Sequence, residues 1–164
     1  MKTIVLTVLV VLLLLAEAGT SVWITGPRTA EAHCQVPCGI YDDSARIAGL
    51  NEDVTTIAKA VQKISELRGR HDAKDINQVT RWIATKEEHA SHIIQVISEY
   101  FLTQKVRPVA RGTRGYDAYL TKLADHHAVM VAAMKTKQNV SEETVRALGG
   151  AIHRLSHHYE AHGH

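Results

Sequence analysis

Nine residues, His33 to Tyr41, read HCQVPCGIY and concentrate the chemistry available to this chain. They follow Ala30-Glu31-Ala32, a small-x-small sequence with the form of a cut site. Cleavage after Ala32 makes His33 the first residue and frees its α-amine. Five metal donors then fall within the six residues His33–Cys38: that amine, the His33 imidazole, the Cys34 amide nitrogen and the two thiolates of Cys34 and Cys38. The amine and the adjacent amide nitrogen share a plane, and the two sulfurs complete a square. An N2S2 tetragonal set suits nickel(II) or copper(II). The His33 imidazole can reach the axial position. Pro37 stiffens the loop, and Gly39 permits a tight return of the backbone. Thiolates and an anionic amide stabilise a higher oxidation state. A structural zinc site would ask for four side chains in a tetrahedron, and only two cysteines and one histidine lie close here.

The other readings of the cysteine pair are weaker. Cys34 and Cys38 are the only cysteines, so no disulfide framework holds the fold. In an oxidising compartment the pair could close a small disulfide. Thiol-redox motifs usually space their cysteines by two residues within a βαβ unit, and no strand pattern is present.

Elements must carry this hook. Residues 1–18 have the form of a secretory signal, with Lys2 ahead of an apolar run from Ile4 to Ala16 broken only by Thr7. The run is shorter than the roughly 18–20 apolar residues that span a bilayer. Two processing routes fit: one cut after Ala32, or a cut after Ala18 followed by loss of a propeptide, Gly19 to Ala32. Either route predicts an exported protein, periplasmic or extracellular. An uncut leader would be its only attachment to a membrane.

From Ser44 the pattern is helical. Ile47, Leu50, Val54, Ile57, Val61, Ile64 and Leu67 recur at alternating spacings of three and four, and Gly69 supplies a stop. A second helix is expected over about 73–105, buried through Ile76, Val79, Ile83, Ala90, Ile93, Ile97 and Phe101, with a kink near Thr85–His89. Val106 to Gly115 is a connection by composition, and Arg107, Arg111 and Arg114 make it either a solvated linker or an anion-binding loop. The third helix fits Tyr116 to about Gln138, with Leu120, Leu123, His127, Met130 or Val131, and Met134 on one face. The fourth starts at the N-cap Ser141, with Glu142 and Glu143 in its first turn. Its stripe is Val145, Leu148, Ile152, Leu155 and Tyr159. Four amphipathic helices with short connections predict an all-α, antiparallel four-helix bundle. The expected parts are a leader over 1–32, a hook over 33–43 and a bundle over 44–164.

Composition narrows the partners. Formal net charge is +2, and loss of 1–32 removes Lys2 and Arg28 together with Glu17 and Glu31, so the balance is unchanged. No basic run is interleaved with aromatics, which argues against nucleic acid. His89 and His92 lie beside Glu87 and Glu88, but no histidine has a glutamate three residues before it, as diiron bundles require. They read as structural groups. Of His126 and His127, one is expected to face the core and one solvent. His157, His158, His162 and His164 read as a solvated His-rich tail, with loose nickel or copper holding as the sharper alternative.

The pattern His-Cys-x-x-Pro-Cys-Gly-x-Tyr resembles the N-terminal hook of the nickel-containing superoxide dismutases, and the helical remainder resembles that family's four-helix subunit. The resemblance extends over residues 33–159. It implies one nickel ion per subunit, bound by His33 through amine and axial imidazole, by Cys34 through amide nitrogen and sulfur, and by Cys38 through sulfur. It implies that Tyr41 orders substrate or water beside the open axial position and that Tyr100 packs near the hook as a second tyrosine. It also implies superoxide as substrate, a homohexamer, and a maturation protease that cuts after Ala32. Departures are Gln35 where many members carry Asp, and Ala45-Arg46-Ile47-Ala48-Gly49 where many carry a glutamate that supports the axial histidine. Glu52, or a group on another subunit, is the expected substitute. The apolar leader is a further departure. The rival reading is a non-catalytic nickel- or copper-binding protein that uses the hook and the His-rich tail.

Overall fold

The computed structural model describes residues 42–159. Among them are four helices: α1 (Asp43–Glu66), α2 (Ala73–Gln95), α3 (Tyr116–Gln138) and α4 (Glu142–Ser156). A π-helical segment, Val96–Lys105, prolongs α2. Each helix packs on its sequence neighbours, and α4 returns against α1, so the four close into a ring. Short connections between packed neighbours make them antiparallel. The expected four-helix bundle is therefore present. No described helix is long and apolar enough to cross a membrane.

Local chemistry sets the ends. Asp42 caps α1 by accepting from the Ser44 amide at 2.8 Å, and Asp72 caps α2 by accepting from the Asp75 amide at 2.7 Å. Ser141 caps α4 as expected, accepting from the Glu143 amide at 3.1 Å. Gly69, at φ +79°, turns the chain after α1 in a conformation that side chains disfavour.

The core is Leu50, Ile57 and Val61 of α1, Ala90 and Ile93 of α2, Ile97 and Phe101 beyond it, Val129, Ala132 and Ala133 of α3, and Val145, Leu148, Ile152 and Leu155 of α4. The α1 and α4 stripes follow the expected spacing. Two stretches depart from it. Ile76 and Ile83 of α2 are 53% and 42% exposed, because the bundle does not cover the start of that helix. On α3 the inward face is His126, Val129, Ala133 and Thr136, while His127 is exposed and Leu120 and Met134 are 44% and 42% exposed. That helix carries apolar residues on several sides, so periodicity alone does not choose among them. The small side chains of Ala132 and Ala133 and the hydrogen-bonding capacity of His126 decide the register.

The expected kink at Thr85–His89 is absent, and α2 runs regularly through it. The irregularity lies further on. Over 96–105 the turns close at i−5: Val106 N–H donates to Phe101 O at 3.1 Å, and the side chains of Thr103 and Gln104 donate to the carbonyls of Ser98 and Glu99. A wider turn advances each residue through a smaller angle. Neighbours Tyr100 and Phe101 can then both point inward, and both are buried.

Between α1 and α2 a buried carboxylate holds two histidines. Asp53, 5% exposed, accepts from His89 Nδ1 at 2.6 Å on one oxygen and from His92 Nδ1 at 2.7 Å on the other. These histidines are structural, and their partner lies on another helix. Asp53→Ala strips both imidazoles of their acceptor, although each can turn to water. The expected cost is about 1–2 kcal/mol, read as a lower urea midpoint. An unchanged midpoint would show that the clamp contributes nothing.

Candidate metal centre

The residues expected to bind and work on the metal, His33, Cys34, Cys38 and Tyr41, lie outside the described residues. What is described is the base into which that segment runs, beginning at Asp42. Asp43, the first residue of α1, is the organising charge. Its Oδ1 accepts from Tyr100 Oη at 2.6 Å and from Lys105 Nζ at 2.8 Å. The π-helical segment supplies both partners, so its wide turns set this geometry. Arg46 and Lys105 each stand 5.4 Å from the centre of the Tyr100 ring.

The electrostatics follow. Burial, and then the hydrogen bond to Asp43, push the Tyr100 hydroxyl above the usual phenol range. It therefore stays protonated as a donor. The hydrogen bond to Asp43 raises the Lys105 ammonium, which stays charged.

A second aromatic layer lies behind. Tyr159 packs on Phe101 with ring centroids 4.5 Å apart, and its hydroxyl donates to His126 Nε2 at 2.7 Å. His126 Nδ1–H donates to the Lys122 carbonyl at 2.6 Å, which fixes the tautomer. Burial pushes the Tyr159 hydroxyl far up and holds the His126 imidazole below its ordinary value. Lys122 Nζ lies 4.3 Å from the centre of the Tyr159 ring and has no hydrogen bond or ion pair among the described residues. Burial lowers this ammonium too. Arg46, Lys105 and Lys122 thus surround the base of the hook segment with positive charge, opposed by Asp43.

His126 gives a pH prediction. Its folded pKa is below the unfolded value of about 6.5, so below that pH the unfolded state binds the extra proton. Stability is full above about pH 6.5 and falls as pH drops toward the folded pKa. Thermal midpoints between pH 7.5 and 5 should decline, and His126→Gln should flatten the decline. An equally steep decline in the variant would remove His126 as its source.

Tyr100, the expected second tyrosine, is buried and bonded to Asp43 at the start of α1; the hook it was expected to pack near lies outside the described residues. Glu52, the expected support for His33, is exposed on α1. Arg107, Arg111 and Arg114 are all exposed on the connection 106–115. Sequence reasoning missed Asp43, Lys105 and Lys122. The first stands at a helix start like any N-terminal acid, and the lysines carry no local signal.

Among the described residues, no group of three or more His, Cys, Asp or Glu side chains could hold a metal. Both cysteines lie at 34 and 38. The only thiols therefore adjoin His33 in sequence, and a nitrogen–sulfur donor set of this kind fits nickel. Residues 28–162 match the family described as nickel-containing superoxide dismutase. The chain belongs to the nickel-containing superoxide dismutases. Neither the curated proteins nor the solved structures offered a match. As a member of that family the chain is an oxidoreductase that acts on superoxide with a nickel cofactor, and its helical bundle agrees with the membership.

Proposed function

We propose that superoxide is dismutated at the processed N-terminus, with His33, Cys34 and Cys38 as the nickel ligands and Tyr41 ordering substrate or water beside them. The overall change is 2 O2•− + 2 H+ → O2 + H2O2. When bound, nickel supplies one-electron exchange between its +2 and +3 states. The observation that carries the reading is the family match, which begins at residue 28 and so runs through every hook residue. The donor chemistry of residues 33–38 supports it independently.

The chain's own residues divide the remaining work. The Tyr41 hydroxyl can hold a proton for the peroxide product. Tyr100, kept neutral, steadies Asp43 two residues beyond Tyr41. Arg46, Lys105 and Lys122 attract an anion to this end of the bundle. Family membership disfavours the rival reading of a sequestering protein without turnover.

Maturation belongs to the same reading. A leader over 1–32 exports the chain and is removed by a protease acting after Ala32, leaving a hook over 33–43 on a bundle over 44–164. Six such subunits assemble. Apolar side chains left exposed at Ile76, Ile83, Leu120, Met134 and Val140 are available for subunit contacts.

The test is nickel content and superoxide decay on matured protein. The wild type should carry one nickel per subunit and consume superoxide, and Cys34→Ser and Cys38→Ser should each lose both. Full dismutation by the Cys38→Ser protein would overturn the assignment.

A further inference from the structure

Two tyrosines bracket one phenylalanine in the interior, and each donates its hydroxyl proton to a base. Tyr100 Oη donates to Asp43 Oδ1 at 2.6 Å, and Tyr159 Oη donates to His126 Nε2 at 2.7 Å. Phe101 lies between them, fully buried, with its ring centroid 5.0 Å from that of Tyr100 and 4.5 Å from that of Tyr159. Three rings therefore run in contact from the start of α1 to the turn after α4. The two ends differ in kind. Asp43 is a carboxylate shared with Lys105. His126 is a buried imidazole whose Nδ1–H is tied to the Lys122 carbonyl at 2.6 Å, so Nε2 presents a bare lone pair to the phenol. Imidazole is ordinarily the stronger base of the two. A phenol that loses an electron becomes a strong acid, and a base within hydrogen-bond reach takes its proton. Tyr159 is thus the tyrosine whose oxidation this interior eases most.

We propose that Tyr159 and His126 form a radical trap, in which an oxyl radical takes one electron from Tyr159 while the phenolic proton moves to His126 Nε2. For the hydroxyl radical, which one-electron reduction of peroxide releases together with hydroxide, the step is Tyr–OH + His + HO• → Tyr–O• + HisH+ + HO−. The ring contacts through Phe101 and Tyr100 carry the electron toward the start of α1. Superoxide resets the pair: Tyr–O• + HisH+ + O2•− → Tyr–OH + His + O2. Tyr159 lines a hollow with Ser44, Ile47 and Asn51, and the Lys122 ammonium, 4.3 Å from its ring centre, draws an anion there. Burial disfavours the imidazolium, so its proton returns once the electron is replaced. The supply of peroxide and superoxide rests on the dismutase reading; the hydrogen-bonded pair does not.

The experiment oxidises the full matured, nickel-loaded chain with a flash-excited ruthenium polypyridyl sensitiser and an irreversible electron acceptor. Electron paramagnetic resonance reads the phenoxyl radical. Tyr116→Phe and Tyr119→Phe form the background, because both rings are partly exposed on α3. A long-lived phenoxyl signal should form, with one exchangeable proton hydrogen-bonded to its oxygen in double resonance. Adding Tyr159→Phe, which keeps the ring against Phe101, should remove the signal although Tyr41 and Tyr100 remain. Adding His126→Gln instead should slow its appearance at least ~100-fold, the low end of what a positioned base contributes. Helical circular dichroism should be unchanged in both. In the Cys34→Ser, Cys38→Ser chain a pulse of superoxide should bleach the signal. A signal that survives Tyr159→Phe, a rate unmoved by His126→Gln, a phenoxyl oxygen without that proton, or a radical that superoxide leaves untouched overturns the proposal. The flash supplies the oxidant, so the radical is read without dismutation. Its failure leaves the hook account standing, and failure of the hook account leaves the signal interpretable.

Discussion

One glycine added ahead of His33 abolishes dismutation and leaves the bundle intact. The extra residue turns the α-amine into a peptide nitrogen. It also pushes the imidazole away from the chain end on which its axial reach depends. Two of the donors change at once. Altering groups that merely support a ligand typically costs 10–100-fold, so the loss here should reach at least ~100-fold. The described core is built from residues of α1 to α4 and of the segment 96–105 packed on one another, so helical content and thermal midpoint should match the wild type. Superoxide decay followed by stopped flow, beside a melting curve, checks both halves. Retained activity in the extended protein would mean that the amine is not a ligand.

The second large effect lies at the other end of the bundle. Lys86→Met should lower stability by about 2–3 kcal/mol, a fall of roughly 10 °C in thermal midpoint for a domain of this size. Lys86 is 2% exposed. Its ammonium has three protons and finds three acceptors: Glu87 Oε1 at 2.7 Å, Thr136 O at 2.7 Å and Lys137 O at 2.6 Å. Two of these are carbonyls at the C-terminal end of α3, where a cation also suits the helix dipole. Methionine fills the volume but leaves buried carbonyls unsatisfied, and that desolvation cost dominates. Lys137→Met removes a half-exposed side chain and should cost under about 1 kcal/mol. The Lys86 variant should keep its dismutase rate at 25 °C. A midpoint equal to wild type would show that water replaces the ammonium without penalty.

Residue types decide how much of this architecture is legible in the sequence. The proposed hook stands out in the sequence because its donors are adjacent: an imidazole and two thiols fall within six residues, directly after a small-x-small sequence. Leu50, Ile57 and Val61, and Val145, Leu148, Ile152 and Leu155, give their faces away because polar residues separate them. On α3, Val129, Met130, Val131, Ala132, Ala133 and Met134 form an unbroken apolar run, so the spacing points His127 inward in place of His126. The Asp53 clamp is hidden because the carboxylate sits 36 residues from His89 in sequence. The π-helical turns are hidden because closure at i−5 depends on Thr103 and Gln104 reaching back to carbonyls, which no apolar period encodes. Lys86 does leave a trace. It stands on the stripe Val79, Ile83, Ala90, Ile93, and a lysine there signals a buried cation with partners.

The most direct test of the account uses protein purified from its native source. Intact mass gives the first residue, elemental analysis gives the metal, and the same sample is assayed with superoxide. The account predicts a chain that starts at His33, one nickel per subunit and rapid dismutation. A sample that dismutates superoxide at full rate while residues before His33 remain attached would contradict it.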